Sequence, residues 1–148
     1  MKSFRFPLQK PLEWRQVQLQ LEESRMKQLT AGLRRLDAAR AELEAALNRA
    51  EREVIQAGSV DGTETAALDG YRSHARKSAV ALLRSRREQE QRIAVQHRNL
   101  LEARRRVRIL EKFRDRQLAE WKSELNREVE NFASEAYLAQ WNRRARRS

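Results

Sequence analysis

The apolar residues of this chain follow a seven-residue repeat that is broken at one place. In the first part they recur at alternating steps of three and four on two heptad positions, which are Leu12, Leu19, Met26, Leu33, Leu47 and Val54 on one and Leu8, Leu29, Leu36, Leu43, Ala50 and Ala57 on the other. Such a repeat keeps one narrow stripe of a helix facing a partner helix. The pattern predicts a helix over about residues 8–57.

The break is the stretch GSVDGTET, residues 58–65. Gly58 is suited to end the first helix with a positive φ, and Asp61 with Glu64 three residues later can cap the next. Helical periodicity resumes at Leu68 and continues past Leu110, where the repeat shifts by about one residue. We therefore predict a turn at 58–65, a second helix over about 66–141 and a basic tail at 142–148.

Two long helices joined by a short connection must run antiparallel. The second predicted helix is longer than the first, so it should overhang from about residue 122. The fold class predicted is all-α, a long two-helix antiparallel coiled-coil hairpin with an overhanging C-terminal helix, in a single domain over residues 1–148. If the two helices pair residue by residue outward from the predicted turn, Arg86 lies close to Asp37 and Leu12 lies near Glu111.

Composition excludes a thick globular core. Charged residues make up 36% of the chain and aromatic residues 6%, with a mean hydropathy of -0.90. Both prolines lie in the first eleven residues, which leaves the interior almost free of helix breakers. The start, MKSFRFPLQK, lacks the apolar region of a signal peptide, and the longest apolar run, Ala79 to Leu83, is too short to span a bilayer. A cytoplasmic location is expected.

No constellation of residues suggests catalysis. The chain has no cysteine, and its two histidines, His74 and His97, lie too far apart along one helix to share a metal ion. No phosphate-binding glycine loop is present, and two helices offer no cleft in which a carboxylate could be desolvated. We expect no enzyme, no catalytic residue, no cofactor and no metal site.

The chain carries a formal net charge of +11, which includes the clusters ARRRVR (103–108) and RRARR (143–147). On a helix these arginines point in several directions, and Glu102, Glu111 and Asp115 flank the first cluster. We expect no specific nucleic-acid binding. A basic coiled coil that binds nucleic acid non-specifically at low salt remains the alternative.

A few large apolar residues lie in the charged second helix. Phe113 falls at the last paired turns, where sealing the end of the coil against the Phe4 and Phe6 region is its favoured role, and it is also a candidate partner-binding residue. Four others, Trp121, Leu125, Phe132 and Trp141, lie at or beyond the predicted end of the first helix. An exposed apolar stripe of this kind is typical of a partner-binding surface. The alternative is that the N-terminal residues fold back over Trp121.

The two ends of the chain resemble the flagellar export protein FliJ family. The opening FRFPLQKPLEWR is similar to the family's F-x-F-x-L followed by L-[DE]-aromatic-R, at Phe4, Phe6, Leu8, Leu12, Glu13, Trp14 and Arg15. The later LEKFRDRQLAEWKSE is similar to its second signature, at Leu110, Glu111, Lys112, Arg116, Glu120, Trp121 and Glu124. The chain departs from the family where an acidic L-D-E is replaced by Phe132, Ala133 and Ser134.

The resemblance implies a non-enzymatic, stalk-like coiled coil of the flagellar type III protein export apparatus, required for motility. Its implied partners are the export ATPase ring, which it would bind and stimulate, the cytoplasmic domain of the export gate and the export chaperones, which it would help to recycle. Its implied location is the cytoplasmic face of the inner membrane at the flagellar base, held there through its partners. By the same analogy Tyr71 and Leu83 are expected to contact the gate. A virulence-type secretion stalk is a close alternative.

Overall fold

The computed structural model describes residues 2–58 and 61–148, and its regular structure consists of two long helices packed against each other. Helix α1 spans Gln9–Gln56 and helix α2 spans Gly62–Arg147. The described residues contain no β-strand. The all-α class predicted from the heptad repeat is therefore confirmed.

The helix bounds agree with the sequence prediction for α1 and differ for α2. Helix α2 begins at Gly62, inside the predicted turn, and continues to Arg147, through the residues expected to form a tail. Alanine and arginine favour helix and no proline follows Pro11, so nothing stops α2 earlier. Gly58 has the expected positive φ, 72°. The rest of the predicted turn includes residues 59 and 60, which lie outside the described residues.

The chain forms two compact units, and each contains part of both helices. The first unit, which we call the terminal unit, comprises residues 2–19 and 103–148. Its core contains the buried side chains of Phe6, Leu12 and Val107, with Phe4, Leu19 and Leu110 packed against them. Leu12 is fully buried, at 0% exposed. The predicted seam therefore forms here, with Leu12 in a cluster with Val107.

The second unit, which we call the middle unit, comprises residues 20–102. Its buried residues are Ala75, Leu100 and, unusually, Gln96. The Gln96 side-chain amide donates a hydrogen bond to the backbone carbonyl of Glu22 (3.0 Å), and Gln89 donates to the carbonyl of Leu29 (2.9 Å). Both glutamines reach across from α2 to the backbone of α1, so their polar amides are satisfied within the seam.

Ion pairs also connect the two helices in the middle unit. Arg86 donates to Asp37 at 2.8 Å, as the sequence pairing predicted, and Arg72 donates to Glu51 at 3.0 Å. The hydrogen bond and the charge of Asp37, aided by Glu90, raise the pKa of Arg86 above its usual value. As the residue number on α1 increases, the residue number of its partner on α2 decreases. The pairs are Glu22 with Gln96, Leu29 with Gln89, Asp37 with Arg86 and Glu51 with Arg72.

Candidate partner-binding surface

The N-terminal residues 2–8, which we call the strap, precede α1 and pack against α2 within the terminal unit. The Phe6 ring lies 5.9 Å from the ring of Phe113 at an interplanar angle of 59°, and Phe4 lies 6.0 Å from Trp121 at 52°. Tilted aromatic pairs at these centroid distances are favourable beyond the area they bury. The strap is therefore fastened to α2 at two points, two turns of helix apart.

Trp121 is part of this contact, because its indole Nε1 also donates a hydrogen bond to the backbone carbonyl of Lys2 at 3.2 Å. The side chain is half-buried. Trp121 was expected to begin a stripe that nothing in the chain covers, and the structure corrects this for Trp121. The alternative interpretation, in which the N-terminal residues fold back over Trp121, describes the observed contact.

Two neighbouring residues of the predicted site are also partly covered. Phe113 is 38% exposed and pairs with Phe6, which agrees with its favoured role as a seal at the end of the coil. Leu125 is half-buried. These three residues, Phe113, Trp121 and Leu125, therefore pack within the terminal unit. Part of each side chain is still exposed to solvent.

The remaining residues predicted on the second helix are open to solvent. Phe132 is 74% exposed and Trp141 is 60% exposed, and every residue from 126 to 148 is exposed. Three further large apolar residues in this segment, Val129, Tyr137 and Leu138, are more than half exposed. Sequence reasoning missed these three because they do not share one heptad position. We call α2 from Asn126 to Arg147 the C-terminal segment.

Tyr71 and Leu83, the residues expected near the turn, have different surroundings. Tyr71 is half-buried and lines a shallow apolar depression with Val54, Ala57 and Leu68. Leu83 is 42% exposed and lies outside that depression. Twelve residue steps separate them, about 18 Å along a helix, so a partner that contacts both must cover more than three turns of α2.

No three histidine, cysteine or acidic side chains in residues 2–58 and 61–148 are placed to hold a metal ion. His74 and His97 are both exposed. In the same residues no helix contains an apolar stretch long enough to cross a membrane. What the surface offers is large apolar side chains that are exposed on the C-terminal segment.

Comparisons of this chain with protein-family models, with curated proteins and with solved structures find no match. The resemblance to the FliJ family therefore rests on the sequence stretches described above.

Proposed function

We propose that this chain is a non-enzymatic, stalk-like component of the flagellar type III export apparatus, which binds and stimulates the export ATPase and links it to the export gate. One observation carries the proposal: the two FliJ-like stretches pack on each other. Trp121 bonds to Lys2 across 119 residues of sequence, and Phe4 and Phe6 meet Trp121 and Phe113.

This contact supports the resemblance, because residues matched in the two stretches touch each other in the structure. The first aromatic of the family's opening motif, Phe4, pairs with its later aromatic position, Trp121, and Phe6 pairs with Phe113 inside the second stretch. A coincidental similarity between two coiled coils would arise from the composition that all coiled coils share. It would give no reason for residues outside the heptad repeat, such as Phe4 and Phe6, to contact the second motif. The buried cluster adds Leu12 and Leu110, one from each stretch.

The proposal includes an antiparallel hairpin in which α2 overhangs α1. The falling order of the α2 partners in the middle unit and the uniform exposure of the C-terminal segment both support it. In this arrangement the C-terminal segment, with Phe132 and Trp141, docks into the ATPase ring. The connection end, with Tyr71 and Leu83, faces the export gate, and the protein is held at the inner membrane by its partners, where it helps to recycle export chaperones.

The test measures ATPase stimulation by purified protein, with Phe132→Ala and Trp141→Ala combined in one variant. Each large apolar side chain contributes about 1.5–3 kcal/mol when buried, so losing two should weaken docking at least tenfold. Helix content and melting temperature should not change, because both residues are exposed. The matched control combines Ile55→Ala and Val95→Ala, two exposed residues of the middle unit, and should stimulate normally.

Copurification from cells decides between this role and its alternatives. Recovery of the flagellar ATPase and gate proteins supports the proposal, and recovery of virulence-type secretion components would redirect it to that system. Normal stimulation by the Phe132 and Trp141 variant would remove the C-terminal segment from the ATPase contact. Recovery of ribosomes or DNA in place of export components would overturn the proposal.

A further inference from the structure

Four basic residues of α2 form a line along one face of the terminal unit. Arg105, Arg108, Lys112 and Arg116 are spaced three or four residues apart, which on an α-helix places them within a sector of about 80°. Successive residues rise by about 5 Å, and the line is about 17 Å long. We call this line, together with Ile109 beside it, the basic stripe.

The charges of the basic stripe are available to a partner. All four side chains are exposed, and among the described residues none has an acidic group within ion-pair distance. The two acids in this stretch lie to one side of the stripe on an ideal helix. Glu111 is half-buried, and Asp115 pairs instead with Arg114 at 3.6 Å.

The basic stripe has an apolar side chain at its edge. Ile109 is 56% exposed and lies between Arg108 and Lys112 in the sequence, about 20° outside the sector of the four basic residues on an ideal helix. An isoleucine flanked by cations at helical spacing matches an amphipathic helix that carries an apolar residue between carboxylates. In such a pair of helices the apolar side chains contact each other and each cation faces a carboxylate.

We propose that the basic stripe docks an acidic amphipathic helix of another protein. The inference concerns a surface separate from the C-terminal segment and does not depend on the export role. Charge complementarity selects the occupant. A second copy of this chain would bring another +11 of charge to the same face. Nucleic acid would pair with the cations but would leave Ile109 unmatched and find no aromatic ring in the stripe on which a base could stack.

The experiment measures binding of the full chain to a fluorescent synthetic peptide, a glutamate-rich helix with leucine at one heptad position, by anisotropy at low and at physiological salt. Unstructured polyglutamate and duplex DNA serve as comparison probes. The peptide helix should bind more tightly than either probe. The variant Arg105→Gln, Arg108→Gln and Lys112→Gln should weaken peptide binding by about tenfold, as expected from three exposed charge pairs.

A matched control changes net charge by the same amount elsewhere. Arg143→Gln, Arg144→Gln and Arg147→Gln remove three cations from the exposed end of α2 and should weaken binding by less than about twofold. Ile109→Ser should weaken binding of the peptide helix several-fold and leave polyglutamate binding unchanged. Equal losses in the two triple variants would reduce the effect to net charge and overturn the proposal. Tighter binding of duplex DNA, with no effect of Ile109→Ser, would overturn it in favour of a polyanion surface.

Discussion

The terminal unit is held together by apolar and aromatic side chains, whereas the middle unit adds polar contacts between its helices to the buried Ala75 and Leu100. In the terminal unit Phe6, Leu12 and Val107 are buried, and two aromatic pairs fasten the strap. In the middle unit Gln96 is buried and two glutamines bond to backbone carbonyls of the facing helix. The same heptad repeat thus supports two kinds of contact.

The two kinds of contact do different work. Burial of apolar side chains supplies free energy but permits one helix to shift along the other. After such a shift a leucine packs against a different leucine of the facing helix almost as well as before. A buried amide must find its hydrogen-bond partner, so sliding would leave Gln96 unsatisfied at a cost of about 1–3 kcal/mol. We infer that the terminal unit contributes most of the stability and the middle unit fixes which residues pair.

The largest expected effect is that of Leu12→Ala, which removes the fully buried side chain of the terminal unit. The lost burial and the cavity left behind should lower the free energy of unfolding by about 2–5 kcal/mol. Denaturant unfolding followed by circular dichroism measures the change. Leu21→Ala, on the same helix at a residue 47% exposed, is the control and should change little. Similar losses from both variants would contradict the assignment of stability to the terminal cluster.

A smaller effect is expected from Phe4→Ala, which removes one aromatic pair of the strap. The lost contact with Trp121 should lower the free energy of unfolding by about 1–2 kcal/mol and shift the tryptophan emission to longer wavelength in a variant whose other tryptophans are replaced. Phe132→Ala provides the control, since that ring is 74% exposed. An unchanged Trp121 emission in the Phe4→Ala protein would mean that the strap does not cover Trp121 in solution.

The smallest expected effect concerns Gly32, and it is the most specific test of the polar contacts in the middle unit. A Cβ at this position would lie 2.7 Å from Nε2 of Gln89, the atom that donates to Leu29. In the wild-type background Gly32→Ala should gain about 1 kcal/mol of helix propensity and lose a similar amount by displacing Gln89, so stability changes little. In a Gln89→Ala background the full gain of about 1 kcal/mol should appear.

The comparison of the two backgrounds is a double-mutant cycle measured by denaturant unfolding. Equal effects of Gly32→Ala with and without Gln89 would show that the glycine makes no room for the amide. The idea that the polar contacts of the middle unit fix the pairing would then lose this support.

Much of the fold could be predicted because its signals are local and periodic. The heptad repeat, the scarcity of breakers and the Gly58 stop gave α1 and its end, and the pairing arithmetic placed Arg86 beside Asp37. The pairing also placed Leu12 near Glu111, and the structure puts Leu12 in a cluster with Val107 against which Leu110 packs. The exact register depends on the length of the connection, which the sequence alone does not give.

The candidate site was predicted less well, for reasons that follow from its geometry. The strap precedes the repeat, so no periodicity indicated that Phe4 would reach Trp121. Gln89 and Gln96 bond to backbone carbonyls of the facing helix, and such partners leave no mark in the sequence. The exposed residues Phe132 and Trp141 were predicted as such because they depend only on the helix continuing.

The exposure of the C-terminal segment has a consequence for amide hydrogen exchange. Backbone hydrogen bonds near Val107 break only when the surrounding packing opens, so their amides exchange slowly. From Asn126 onward each amide is protected by the helix alone, and such a helix frays from its end. Protection should therefore decline steadily towards Arg147, and the point where it rises when another protein is added would locate that protein's contact to within about one helical turn.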